Sequence, residues 1–362
     1  MRISVLSVLF AMAATAALAA STAASTTGMT AGKPQLKSAG PLAFGPDGIL
    51  FIGDTTGAAI VAVNTQDAKA QTNSPKVDVQ GIDKKVAAML GTAAGDIMIN
   101  DVKVNPISKS VYISVSRGRG PEATPVIMKV DASGKLSEFA LDNVQFSTTP
   151  IPNAPNAIPG GRNPRLDTIT QLAYLDGKVL VAGLSNEEFS SNLRSIPFPF
   201  QAATTGASIE IYHGQHGRYE TNSPVRTFVP YTIDNKPYIV AAYTCTPLVT
   251  IPMSELKPGN KVKGATIAEL GAGNRPLDMI AYRKDNHDYI LMANSAHGIL
   301  KLTTDHLETY KSITSHVEHA GVPSQPLSEL KGVKHLTSLD SSSALILSDV
   351  DGAVDLRSIP LP

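Results

Sequence analysis

An all-β fold built from repeated antiparallel meanders is what this sequence predicts, on three observations. Short apolar runs are punctuated throughout by 28 glycines and 25 prolines, the pattern of strands and turns rather than of helices. Remote stretches share one frame: residues 101–112 match 278–289 without a gap, with Asp and Tyr at both ends, and 227–238 fits the same frame. The pentapeptide LRSIP occurs at 193–197 and again at 356–360, with LVTIP at 248–252 as a looser copy. Repeats of about 40 to 50 residues, each a set of short strands, imply a closed radial array. The expectation is a six-bladed β-propeller of four-stranded antiparallel blades; a count of seven stays open if two units have been merged.

The chain begins with an export pattern. Arg2 is the one early positive charge, an apolar stretch follows, and Ala17-Leu18-Ala19 has the small-x-small form of a cleavage site. The apolar run is too short for a membrane span. The expected organisation is a signal peptide over 1–19, a flexible Ser/Thr/Ala leader over 20–34 and a single propeller over 35–362. That places the mature protein in the periplasm or outside the cell, with no membrane association after cleavage. Cys245 stands alone, so no intramolecular disulfide forms. Lys+Arg and Asp+Glu are both 31; no basic excess points to nucleic acid.

In chain order, residues 35–38 form a short strand. Pro46-Asp47-Gly48 is a tight turn, because Pro presets φ and Gly accepts a positive one. It joins strands at 42–44 and 49–52; 59–63 and 76–79 complete blade one. Apolar residues at helical spacing predict a helix over 82–90. Blade two has strands at 98–104, 110–115, 126–130 and 136–140. The Pro-rich segment 143–164 is too irregular for either regular structure and reads as a long insert, a candidate lid. Blade three takes 166–174, 178–182, 192–197 and 208–212. Blade four takes 226–232, 238–243, 248–252 and 263–270. Blade five takes 277–282, 289–293, 298–302 and 308–313, and 314–331 is a connection. Blade six has 334–339, 344–347 and 354–360 and lacks an outer strand. Residues 35–38, just before the first inner strand, are expected to pair there and close the ring, which removes the exposed sheet edges.

The stretch PLAFGPDGILFIGD at 41–54 resembles the A-x-x-P-D-G-x-L-x-V-x-D pattern of the NHL and SMP-30/gluconolactonase-like (TolB-like) propellers. The resemblance implies six blades. It also implies an alternative function. SMP-30-like lactonases hold a central divalent ion, Ca among the choices, through Glu, Asn and Asp of inner strands. Their pattern puts a carboxylate or Asn one residue before the position of Asp101. Here the equivalents are Asn100, Leu277 and Lys334, and only Asn100 fits.

Antiparallel strand order places the start of every inner strand and the end of every second strand at one mouth of the channel. Inner-strand starts bring Asn100, Asp101, Asp278 and His335 there; second-strand ends bring Arg117, Asn294 and His297. Asp101 and Asp278 read either as turn caps or as a general base and metal ligands, with Asn100 as a further ligand. His213/His216 and His316/His319 form H-x-x-H pairs, but Gly214 and Gly217 argue against the helix such ligands need, so both read as surface pairs. No Walker loop, G-x-S-x-G elbow or haem attachment motif occurs. With no complete catalytic constellation, the reading is an exported propeller that binds a small-molecule ligand or a protein partner at this mouth. The alternative is a metal-dependent, SMP-30-like lactonase or hydrolase.

Overall fold

The computed structural model describes residues 26–71, 75–158, 163–202, 204–245 and 247–362. The expected signal peptide, and the leader as far as residue 25, lie outside the described residues. Strand pairing sorts the chain into six sheets, each a blade built outward from an inner strand. No described helix is long and apolar enough to cross a membrane.

Blade 1 runs Leu42–Phe44, Ile49–Asp54, Ala59–Asn64, Val144–Pro150, with Thr30–Gly32 outermost. Blade 2 runs Ile97–Val104, Val111–Arg117, Thr124–Val130, Leu136–Glu138. Blade 3 runs Gln171–Leu175, Lys178–Leu184, Ser191–Pro197, Ala207–His213; Arg218–Glu220 and Lys261–Lys263 add to its outer edge. Blade 4 runs Val225–Ile233, Lys236–Tyr243, Pro247–Pro252, Ala265–Leu270, with His319–Gly321 outermost. Blade 5 runs Pro276–Lys284, His287–Asn294, Gly298–Thr303, Ser324–Leu327. Blade 6 runs Val333–Ser338, Ser343–Val350, Ala353–Pro360, Asp78–Val79.

The turns explain why the hairpins close where they do. Asp234-Asn235 and Asp285-Asn286 both take two successive positive φ angles, 48° and 56°, then 50° and 66°. That is the twist-compatible hairpin turn, and Asp and Asn tolerate it through local hydrogen bonding. The repeated DN of blades 4 and 5 is therefore one turn used twice. Asp47-Gly48 is another such pair, as the PDG motif predicts.

Four expectations about outer strands are corrected. Residues 76–79 do not complete blade 1: Asp78–Val79 pairs with Leu356 and Arg357 of blade 6. An early segment does close the last blade, but it is this one and not 35–38, whose backbone N–H groups at Lys37 and Ser38 are instead held by Asp54. The supposed insert 143–164 contains the fourth strand of blade 1, Val144–Pro150. The fourth strand of blade 5 is Ser324–Leu327, not 308–313. In each case the weak pattern of a short edge strand is overruled by which neighbour offers an open sheet edge.

The same exchanges set the ring order. Apolar clusters fill the gaps between blades. One joins Val79 and Ile82 to Ile113 of blade 2 and Leu345 of blade 6. Another joins Leu50 of blade 1 to Tyr112 of blade 2. A third joins Phe51 of blade 1 to Leu172 of blade 3. The remaining three join blades 3 and 4, 4 and 5, and 5 and 6. Around the ring the order is therefore 6, 2, 1, 3, 4, 5. Blades 1 and 2 are exchanged relative to chain order. After three strands of blade 1 the chain steps past one blade position to finish blade 6. It then builds blade 2 alongside and returns to complete blade 1. The predicted helix, Ile82–Met89, makes that step and buries Ile82, Val86 and Ala87 in the 2–6 gap.

Candidate functional site

The inner strands of blades 2, 4, 5 and 6 share a defect. Each slips register by one residue, at Asn100, Arg226, Leu277 and Lys334. A bulge of this kind re-aims the side chain that follows it. The residues that follow are Asp101, Thr227, Asp278 and His335. The equivalence inferred from the 101/278 repeat is thus a shared bulge.

Asp101, Asp278 and His335 converge from blades 2, 5 and 6, which are consecutive in the ring, and Lys103 joins them. Lys103 Nζ lies 3.0 Å from Asp101 Oδ1 and 3.4 Å from Asp278 Oδ1. His335 Nδ1 lies 3.2 Å from Asp278 Oδ2 and 3.7 Å from Asp101 Oδ1. Each carboxylate also holds the next inner strand: Asp101 Oδ2 accepts the Leu42 N–H at 2.8 Å and Asp278 Oδ2 the Leu336 N–H at 3.2 Å. The capping role and the channel-facing role, alternatives from sequence, are both filled by the same two side chains.

Burial sets the electrostatics. It pushes the Asp101 carboxyl above its ordinary range, against the pull of Lys103. Burial also works to raise Asp278, but Lys103, His335 and the Leu336 N–H together outweigh it and hold that carboxyl low. For Lys103 burial acts downward and the two carboxylates overcome it, keeping the ammonium charged. The cluster is a compensated ion network in a nearly dry setting.

The other predicted residues lie at the same end of the strands but do not join the cluster. Asn100 turns sideways, its Nδ2 donating to Ala39 O at 2.8 Å and to Ser116 Oγ at 2.9 Å. Asn294 is buried and caps the following turn, accepting from the Ala296 and His297 N–H groups. Arg117 and His297 are exposed on the rim. Arg119, two residues further on, donates to Gly95 O. Cys245 sits in a tight turn with φ 62°. Lys103 is the residue sequence reasoning missed. Its signal was present: it lies two positions after Asp101, hence on the same face of a strand.

Whether these residues fit the divalent ion of the lactonases is decided by Lys103. Asp101, Asp278 and His335 bring one ligand atom each within 4.8 Å of one another. The Lys103 ammonium, however, already bridges both carboxylates, and a calcium ion asks for six or more oxygens. Of the expected ligands, Asn100 points away and Leu277 offers no donor. The donor set does not fit a lactonase-type calcium site.

Several apolar side chains are exposed around this end. The large hydrophobic side chains left exposed among the described residues are Met89, Met98, Ile158, Leu166, Tyr219 and Val350. Met98 opens an inner strand and Val350 ends a second strand. Leu166 precedes the inner strand of blade 3, and Met89 and Ile158 lie in connections running from outer to inner strands. Chain direction puts these five at the mouth above the ion cluster, and only Tyr219 elsewhere. A recess of about 200 Å³, lined by Ile233, Tyr238, Leu307 and Tyr310 among others, lies at the opposite end of blades 4 and 5.

No protein-family model matches the sequence, and no curated protein matches it. Of what the PDG-motif resemblance implies, the six-bladed fold is present in the structure. Solved structures of similar architecture include a putative oxidoreductase (glucose dehydrogenase) of Thermus thermophilus, at 13% identity and TM-score 0.37, covering 92% of this chain and all of that one. The soluble aldose sugar dehydrogenase of Escherichia coli, in its apo form, gives 13% identity and TM-score 0.35, covering 92% and 99% of the two chains. Drosophila Plexin A, solved in complex with Semaphorin 1b, gives 10% and 0.39, covering 92% and 87%. Likeness at this level carries no functional weight; the six-bladed assignment rests on the sheet topology.

Proposed function

We propose that this propeller is an exported binding module whose channel mouth docks a protein partner. The observation that carries the reading is the gathering of Met89, Met98, Ile158, Leu166 and Val350 at that one mouth. Exposed apolar residues scattered singly need no explanation, but a group of them on one face marks an interaction surface. Methionine suits such a surface because its flexible thioether repacks against a partner. Arg117 and His297 stand on the same rim and supply the polar border that a protein interface carries. The ion cluster beneath acts as a rigid base, tying the inner strands of blades 1, 2, 5 and 6 so that the rim keeps its shape. A small polar ligand makes no use of the apolar rim, and the ammonium of Lys103 already fills the space between the carboxylates.

The test is a photo-crosslinking residue placed at Met98, at Val350 and, as control, at Tyr219 in the full chain expressed in its native host. The expected result is one shared covalent adduct from the first two positions and none from the third. That adduct is then lost, or reduced at least tenfold, in Arg117→Glu. Equal adducts from all three positions sink the reading. Stoichiometric divalent metal in the purified protein, absent from Asp101→Asn, favours the lactonase alternative instead.

A further inference from the structure

The first H-x-x-H pair, expected on the surface, is half wrong as such: His213 is buried at 2% exposure while the His216 side chain is 42% exposed. They belong to the outer hairpin of blade 3, where Ala207–His213 turns through Gly214 and Gly217 into Arg218–Glu220. The turn brings both rings onto one carboxylate. His213 Nδ1 lies 3.0 Å from Glu220 Oε2 and His216 Nδ1 lies 2.6 Å from Glu220 Oε1. The rings stack with centroids 3.8 Å apart. All three ligand atoms fall within 4.8 Å of one another.

A hydrogen-bonded cluster accounts for those contacts, but not for what surrounds them. Three buried acceptor atoms in or against this turn have no partner: His213 Nε2, Gln215 Oε1 and Glu269 Oε2. Glu269 comes from blade 4, is 1% exposed and accepts the Gly214 N–H through its other oxygen. Buried acceptors without donors are costly, and a turn crowded with them is short of positive charge. Arg218 Nε, 3.3 Å from Glu220, and Ser223 Oγ, 2.9 Å from it, supply some donors. The second H-x-x-H pair also arrives here: Val317 N donates to Gly214 O, and His316 packs against Gly217.

We infer that His213, His216 and Glu220 form a site for a divalent transition metal of the zinc class, outside the channel. Two imidazoles and one carboxylate are the donor set such ions prefer over calcium or magnesium, and bonds near 2.0–2.2 Å fit ligand atoms already this close. The exposed edge at His216 is the way in, and leaves a position for water or a further ligand. The ion staples the outer hairpin of blade 3 and lies beside the segment carrying His316. This site is independent of the partner reading, since it lies on the outer edge of the ring and not at the mouth.

The experiment uses the full mature chain stripped with chelator and titrated with Zn²⁺, then with Co²⁺ as a spectroscopic probe. One equivalent of Zn²⁺ is expected to bind and raise the melting temperature, and Co²⁺ to give the visible bands of a low-coordinate site. Affinity is expected to fall at least tenfold in His216→Ala, an exposed position whose variant folds, and further in Glu220→Gln. His316→Ala/His319→Ala is expected to retain one equivalent. No saturable binding in the wild type overturns the inference. So does binding that survives His216→Ala and Glu220→Gln while vanishing in His316→Ala/His319→Ala.

Discussion

At the scale of single residues, two buried acids show opposite solutions to the same cost. Asp278 is stabilised as an anion by Lys103, His335 and the Leu336 N–H. Removing one partner of a buried network leaves the others uncompensated. Asp278→Ala is therefore expected to cost about 3–5 kcal/mol in chemical denaturation, and adding Lys103→Met to recover part of that loss. If the double variant is no more stable than the single, the ammonium is not what the carboxylate holds. Glu269 has no cation beside it: burial, with Glu220 nearby, outweighs the Gly214 and Gln215 N–H groups and raises its carboxyl from the usual 4.5 to about 7. A raised carboxyl favours folding while it keeps its proton. The contribution is whole below the unfolded value and is lost as pH climbs through the folded one. In the presence of chelator, the wild type is expected to lose denaturant resistance between pH 5 and pH 8 relative to Glu269→Gln, with the variant ahead by roughly 1–3 kcal/mol at pH 8. Parallel curves for the two proteins exclude this.

At the scale of elements, the informative strand is the shortest. Asp78–Val79 completes blade 6 with two residues, pairing Asp78 with Arg357 and Val79 with Leu356. Its energy comes less from ladder hydrogen bonds than from Val79, which joins the core between blades 2 and 6. Facing residues in an antiparallel pair have Cα atoms about 4.5–5.5 Å apart, within the span a disulfide bridges. Asp78→Cys/Arg357→Cys is thus expected to oxidise to a 78–357 bond detectable by peptide mapping, and Gln35→Cys/Arg357→Cys to stay reduced. The reverse outcome restores residues 35–38 as the closing strand. The four bulged inner strands make a related point. A bulge is invisible in an apolar pattern, yet it is what turns Asp101, Asp278 and His335 toward one another.

At the scale of the whole molecule, the exchange of blades 1 and 2 makes the ring hard to take apart. Blade 6 needs a strand from between blades 1 and 2, and blade 1 needs one from beyond blade 2. Blade 2 is complete in itself, but blades 1 and 6 are each finished only by a strand that reaches across it, so unfolding is expected to be a single event. Val79→Asp, which puts a charge into the 2–6 core, is expected to destabilise by ~3 kcal/mol or more. The effect should reach blade 4: reactivity of the Cys245 thiol, a far-side reporter, is expected to rise with the same denaturant midpoint as loss of circular dichroism. Two separate midpoints instead mean that blades 2 and 6 open as a local unit.

Local signals determined much of this. Alternating apolar runs, Asp-Gly and Asp-Asn turns and the LRSIP repeats are properties of a few neighbouring residues, and they suffice for the strands, the hairpins and a propeller. Chain direction in antiparallel meanders was enough to place Asp101, Asp278 and His335 at one mouth. What only the tertiary structure decided are choices among partners remote in sequence: which blade takes residues 78–79, which takes 144–150, and which blades are neighbours. The meeting of Lys103 with Asp278, and of the Gly214 N–H with Glu269, belongs with them. These depend on which sheet edge or buried acceptor is left open once the rest has packed, and no short stretch of residues carries that information.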